Sequence, residues 1–333
     1  MVDHPSAWHS GPMAATIRDV AREAQVSVAS VSRALNGAAN VRPATRDRIA
    51  AVAAALGYVP HAGARSLSTA KSHAIGVVLP DLHGEFFSEL VRGIDREASA
   101  RGYHLLLSNI HADAGLAAQA IRAMRGLVDA LVVMAPQIDA ETLAGVLPDL
   151  QPAVLVNSHA VPGRTALRVH NAAGAATVTR HLVERGRRHI VHIAGPADNI
   201  DAAEREAGYR AALGDLPVHV VRGDFQEEGG EAAVRALIAA ATPLDAIFAA
   251  NDQMAFGALA ALREAGIAVP DAVAVAGFDD VPLARHLGLT TIRIDIARMG
   301  ERAAALVLDA VQGLPADPAA IHLPATLIVR TTA

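Results

Sequence analysis

Between Thr16 and Gly37 the chain reads TIRDVAREAQVSVASVSRALNG, two short amphipathic segments with room for only a tight turn between them. Ile17, Val20, Ala21 and Ala24 share one helical face. Thr16 and Asp19 make a capping pair, although Glu or Gln is the usual partner. Gln25 and Val26 interrupt the pattern. Ser27 then caps a second helix whose inward face is Val31, Ala34 and Leu35, and Gly37 ends it in a left-handed conformation. Pro43 suits the first turn of a third helix, with Ile49, Val52, Ala53 and Leu56 on its apolar side and Gly57 as its stop. This spacing predicts a helix-turn-helix. A plain three-helix bundle would satisfy the same periodicity.

The outward face of the second helix separates the two readings. It presents Val28, Ala29, Ser30, Ser32, Arg33 and Asn36, all slim or able to hydrogen-bond, and no acid. A helix entering the major groove needs such a face. Charge agrees with this. Residues 14–70 carry seven arginines against Asp19, Glu23 and Asp47, a balance of +4 in a chain whose net charge is −5. A basic head on an acidic body points to a polyanion at the head alone.

At these residues the chain resembles the LacI/GalR family of transcriptional regulators. The family pattern T-I-x-D-V-A-x-x-A-x-V-S-x-x-T-V-S-R-x-L-N is matched at nearly every fixed position, with Ser30 for the usual Thr. VRPATRDRI repeats a second family stretch, with Arg42 where a capping Ser is usual and Pro43 as partial compensation. LGYVPHAGARSLST resembles the family hinge. The resemblance implies that Val28 and Ala29 read bases and that Arg33 contacts guanine. Thr16, Ser27, Ser30, Ser32, Asn36 and Tyr58 would position the head on phosphates. Ala64 and Leu67 would enter the minor groove, Leu67 as a wedge that kinks the duplex. A buried linker leucine is the alternative for Leu67. Gly63 stands where a larger apolar residue is usual and weakens a hinge helix.

Beyond Ala74, strand-like runs (IGVVLP, HLLLSN, ALVVMA, AVLVN, HIVHIAG, AIFAA, AVAVAGF) alternate with helical stretches such as EFFSELVRGIDREASARG. Continuous apolar strands between helices indicate parallel sheets covered on both faces. Over this length they predict two doubly wound lobes, with ligands outside the carboxyl ends of the strands. The composition, 52% hydrophobic and 3% aromatic, suits such packing and not disorder. This body also resembles the family's periplasmic-binding-protein-like core. The expected organisation is an extension over 1–13, expected to be disordered, an all-α helix-turn-helix head over 14–60, a hinge and linker over 61–73, and a core over 74–333. Lobe one would comprise 74–169 and 297–322, and lobe two 170–293 and 323–333.

The resemblance further implies an effector site. Asn251 in AANDQM and Asp279 in GFDD would bond ligand hydroxyls, Arg205 in AEREAGY would supply a fork of donors, and Phe86 and Phe225 would give apolar faces. Asn157 belongs to the set, at a position where Asp is common. Plainer readings are core for Phe86, a turn acid for Asp279 and a helix-surface charge for Arg205. His170 and Ile294 also depart from the family's usual Asp and Gln, so the effector class stays open: a sugar or sugar phosphate first, a nucleobase second.

The rival readings are few. A solute-binding protein of a transport system shares the core but has no use for the head and would need a secretion signal. Residues 1–13 do not read as one, and no apolar run reaches membrane-spanning length. Met13 opens the family pattern, so either it or Met1 is the start. The chain lacks cysteine, which excludes thiolate metal sites and cysteine nucleophiles. It lacks G-x-G-x-x-G, the P-loop and G-x-S-x-G as well. His189 and His192 point to opposite faces of a strand-like run, so no metal site is expected there. No enzymatic activity, catalytic residue or cofactor is expected. The expectation is a cytoplasmic homodimeric repressor, with no leucine-heptad tail for tetramers. Its partners would be pseudo-palindromic operator DNA and a small-molecule effector, a carbohydrate for preference.

Overall fold

The computed structural model describes residues 15–35, 41–58, 71–314 and 320–333. The chain divides into two compact units, Met1–Ser72 and His73–Ala333.

In the first unit, α1 (Ile17–Glu23), α2 (Val28–Leu35) and α3 (Pro43–Ala55) enclose one small core. Val20, Ala21, Ala24, Val31, Ala34, Ile49 and Ala53 are buried in it, and Ile17, Val26, Leu35, Val52 and Tyr58 pack against it. The helix starts follow their local chemistry. Thr16 and Asp19 close a reciprocal capping box on α1. Arg42, at the start of α3, makes no side-chain cap, and Pro43 takes the first turn.

The second unit holds two six-stranded sheets. The first has the order β11-β5-β4-β3-β1-β2. Its strands are β1 (Ala74–Leu79), β2 (His104–Asn109), β3 (Ala130–Val133), β4 (Ala153–Val156), β5 (Thr165–Val169) and β11 (Ala320–Leu323), all parallel. The second has the order β12-β10-β9-β8-β6-β7. It comprises β6 (Ile190–Ala194), β7 (His219–Arg222), β8 (Ala246–Ala249), β9 (Ala274–Asp279), β10 (Thr290–Arg293) and β12 (Thr326–Ile328). Its one departure from parallel pairing is β12, antiparallel to β10. After β11 only Pro324 and Ala325 separate the two sheets, too few residues for a crossover helix. The chain also changes sheets after β5 and after β10.

The central strands β3, β4, β6, β8 and β9 are buried along their whole length, as their unbroken apolar runs require. Burying each large apolar side chain such as Phe248 or Leu131 stabilises the fold by ~1.5–3 kcal/mol. Several of the helices that cover the sheets do so through an apolar stripe. In α4 (Glu85–Ala100) the stripe is Leu90, Gly93, Ile94 and Ala98. Among the described residues, no helix is long and apolar enough to cross a membrane, and no cluster of three or more metal-ligating side chains occurs. His192 lies inside the second sheet, stacked on Tyr209 and Phe248, with Nδ1 2.9 Å from the Phe248 carbonyl. Burial holds its pKa down to about 4.

Candidate functional site

On the head, Ser27 accepts the Ser30 N–H at 3.1 Å, and the two hydroxyls are 2.9 Å apart. This cap fixes the start of α2. The outward face of α2 carries Val28, Ala29 and Arg33 exposed, with Ser30 and Ser32 half-buried beside them. Arg33 Nε donates to the Ala29 carbonyl at 3.2 Å, which lays the side chain along the helix it belongs to. Thr16 is exposed at the start of α1, and Tyr58 is half-buried against the core. Asn36, Ala64 and Leu67, and Gly37 with them, lie outside the described residues.

In the second unit a cleft of about 390 Å³ opens at the carboxyl ends of strands from both sheets. Phe86, Asn157, Arg205, Phe225, Asn251 and Asp279, scattered over nearly two hundred positions, all line it. The topology explains the convergence. Parallel strands send all their carboxyl ends one way, and the segments that follow β1, β2, β3 and β4 face those that follow β6, β7, β8 and β9.

The backbone is unusual along this rim. His111 (φ 46°), Ala112 (φ 58°), Asn157 (φ 43°), Phe225 (φ 70°) and Asp279 (φ 116°) adopt left-handed conformations without being glycine. Such residues gather where surrounding structure imposes strain, commonly at binding sites. Phe225 also needs Gly195, since a Cβ there would meet its ring at 2.4 Å.

Arg205 organises the polar floor. Its Nε donates to Asn171 Oδ1 at 3.0 Å and its Nη1 to the Ala250 carbonyl at 2.6 Å. The guanidinium carbon stands 3.8 Å from the Phe278 ring centroid, a cation–π contact, and Nη1 is 3.4 Å from Asp279 Oδ1. Burial raises the Asp279 carboxyl to about 7, with Arg205 pulling it back and Asp201 pushing further. Burial likewise lifts Asp201 to about 6, against Arg205 and Asn171. Asn251 is tied at both ends of its amide: Oδ1 caps the following helix by accepting from Met254 N at 3.0 Å, and Nδ2 donates to the Phe225 carbonyl at 2.9 Å. By contrast the buried Asn157 carboxamide makes no hydrogen bond within the protein and Gln137 Oε1 accepts none, while Asp279 Oδ1 has only its ion pair with Arg205. Such groups cost ~1–3 kcal/mol each unless something in the cleft meets them.

Sequence reasoning missed Gln137, Asp201, Asp81 and His111, which line the same cleft. The strand runs signalled three of them: Asp81, His111 and Gln137 sit just past the ends of IGVVLP, HLLLSN and ALVVMA.

Comparison with known proteins places this geometry. The description "Bacterial regulatory proteins, lacI family" matches residues 16–61, and "Periplasmic binding protein-like domain" matches residues 179–333. The HTH-type transcriptional regulator GalS of Salmonella typhimurium is 37% identical over 95% of both chains. The chain belongs to the lacI family of bacterial regulatory proteins. It is a transcription regulator with a helix-turn-helix head and a periplasmic-binding-protein-like core. Within the family, the repressor CytR of Escherichia coli is 34% identical over 95% of this chain and 96% of its own. A crystal structure of the lac repressor dimer, bound to operator and an anti-inducer, matches with a TM-score of 0.85 at 27% identity, covering 96% of this chain and 98% of that one. A cellobiose complex of the regulator CelR matches with a TM-score of 0.70 at 29% identity, covering 96% and 100%.

Proposed function

We propose that this lacI-family member is a cytoplasmic homodimeric repressor, without enzymatic activity, whose hold on a pseudo-palindromic operator is set by a small molecule in the cleft. The observation that carries the reading is the Asn157 carboxamide, buried in a cleft built by both sheets and bonded to nothing in the protein. A polar group so placed is worth its cost when a ligand completes it.

In this reading Asn157, Arg205 and Asp279 bond the ligand's polar edge, while Phe86 and Phe225 cover its apolar faces. Asn251 holds Phe225 in place through their hydrogen bond and bonds ligand with its remaining donor and lone pair. On the head, Val28 and Ala29 touch thymine methyls and Arg33 bonds guanine O6 and N7. Thr16, Ser27, Ser30, Ser32, Asn36 and Tyr58 fix the register on phosphates, and Ala64 and Leu67 enter the minor groove. The ligand prefers one arrangement of the two lobes, and a coupling of ~1–3 kcal/mol changes operator affinity about 5–150-fold.

The test is gel-shift titration of the full chain on fragments upstream of its own and neighbouring genes, against random competitor. Nanomolar preference for one near-palindrome, lost in Arg33→Ala, is expected. Equal binding to every fragment overturns the reading.

A further inference from the structure

We propose that a cavity outside the cleft, walled by Arg92, Arg285, Arg293 and Arg330, binds a small phosphorylated molecule as an effector in its own right. The cavity and the cleft share no lining residue, so this assignment is independent of the cleft's.

The cavity has a volume of about 590 Å³, the size of a small-molecule site. Its walls come from both sides of the core. Arg92 sits on α4, which follows β1 of the first sheet. Arg285, Arg293 and Arg330 come with the second sheet: on the helix Pro282–His286, at the end of β10 and near the end of the chain. Ile294, Ile296 and Ala297 complete the wall, where the chain leaves β10 for the helix Ile296–Val311. The Leu283 N–H donates to Glu85 Oε2 at 2.9 Å, one helical turn from Glu89, so the two sides already touch beside the cavity.

Charge sets what this cavity takes. Its four guanidiniums face three carboxylates, Glu89, Asp280 and Asp295. Asp280, 5% exposed, accepts from Arg293 Nε and Arg330 Nη2, both at 2.6 Å, so one buried charge is shared by two cations. Asp295 Oδ1 caps the helix Ile296–Val311 by accepting from Arg298 N at 3.1 Å. Glu89 is paired with Arg92. Arg285 has no carboxylate partner among the described residues, and its Nε donates to His286 Nε2 at 3.2 Å. Guanidiniums gathered round one cavity repel one another, and an anion placed between them turns that repulsion into attraction.

Hydrogen-bond polarity agrees. Among the described residues, the Nη groups of Arg285 and Arg293 make no hydrogen bond within the protein, so each side chain offers a fork of N–H donors. Asp280 holds the Arg293 fork in place, which lowers the entropy lost when a ligand meets it. A phosphate only accepts and matches such forks with two oxygens at once. Duplex DNA carries its phosphates on the outside of a stiff rod, which does not enter a cavity of this volume. A phosphate that joins Arg92 to Arg285 ties α4 to the helix Pro282–His286 and so favours this arrangement of the two sides.

The experiment titrates the full-length protein with inorganic pyrophosphate as the probe, following Tm, against sodium chloride at matched ionic strength. Pyrophosphate is expected to raise Tm and to saturate, and chloride to do neither. Arg285→Ala, at an exposed position, is expected to raise the half-saturating concentration about tenfold or more, as the loss of a charged hydrogen bond does, and Arg92→Ala to do the same. Asn157→Gly, in the cleft, is expected to titrate as the wild type does. No saturable rise, or an equal rise in chloride, overturns the site. A rise that Arg285→Ala leaves unchanged comes from the basic head or the cleft and overturns it too, as does a rise lost in Asn157→Gly. A shift in Arg285→Ala without one in Arg92→Ala overturns the bridge between the two sides. The effector role is read from the operator dissociation constant in saturating pyrophosphate. A change larger in the wild type than in Arg285→Ala, where competition at the head persists, is expected, and an equal change overturns that role.

Discussion

The Arg205 guanidinium lies 3.4 Å from the Asp279 carboxylate, with the side chains 4% and 6% exposed. The pair joins the helix Ile200–Ala212 to the end of β9 on the floor of the cleft. A buried pair is poor evidence of net stabilisation, but breaking one leaves a charge without water or partner. Arg205→Ala should lower stability by ~3–5 kcal/mol in urea unfolding of the full chain. Arg205→Lys should recover only part of this, because an ammonium cannot span Asn171, Ala250 and the Phe278 face together.

The same pair sets a pH dependence. Burial raises Asp279 from 3.8 to about 7, so the folded chain keeps a proton that the unfolded chain releases. Its contribution to stability therefore falls as pH rises from about 4 to about 7. Asp279→Asn should gain on the wild type across this window, with a constant gap above it. His192, held down from 6.5 to about 4, acts in the opposite direction over most of the same window, but it is common to both proteins and cancels in the difference. Paired urea titrations at pH 5 and pH 8 measure the gap.

Helix pairing in the core depends on glycine. A Cβ on Gly93 would stand 1.9 Å from the Ala297 carbonyl oxygen, and one on Gly300 would stand 2.2 Å from that of Leu90. The backbones of α4 and the helix Ile296–Val311 meet there with no side chain to yield. Gly300→Ala should cost ~1–3 kcal/mol or more, the penalty of overpacking. A drop in Tm without loss of operator preference in the folded fraction checks it.

On the head, Ser27→Ala removes the cap of α2 and should cost about 1 kcal/mol of head stability. Arg33→Ala should instead leave stability within ~0.5 kcal/mol and reduce discrimination at one base pair by ~1–3 kcal/mol. Binding to operators with single substitutions separates the two effects.

Much of this was legible in the residues. The head follows from one periodic segment because its capping, turn and apolar spacing agree with one another. The central strands were legible because burial on both faces demands unbroken apolar runs. The edge strand His219–Arg222 and the short strands Ala320–Leu323 and Thr326–Ile328 were not, because they are only partly buried and carry no such run. Six cleft residues were reachable through resemblance. Gln137 was signalled only by its place just past the ALVVMA run, and nothing local marks a half-buried glutamine as unpartnered until the fold surrounds it. The capping role of Asn251 was legible in principle, as an Asn that precedes a helix, but its bond to the Phe225 carbonyl spans 26 positions and needed the tertiary structure.

The central claim is that occupancy of the cleft governs the head's grip on DNA. The most direct measurement is the operator dissociation constant of the full chain with and without a saturating polar metabolite extract, in wild type and in Asn157→Gly. The account predicts a change of about 5–150-fold in the wild type and none in the variant. A wild-type affinity that stays the same while the extract demonstrably occupies the cleft would contradict it.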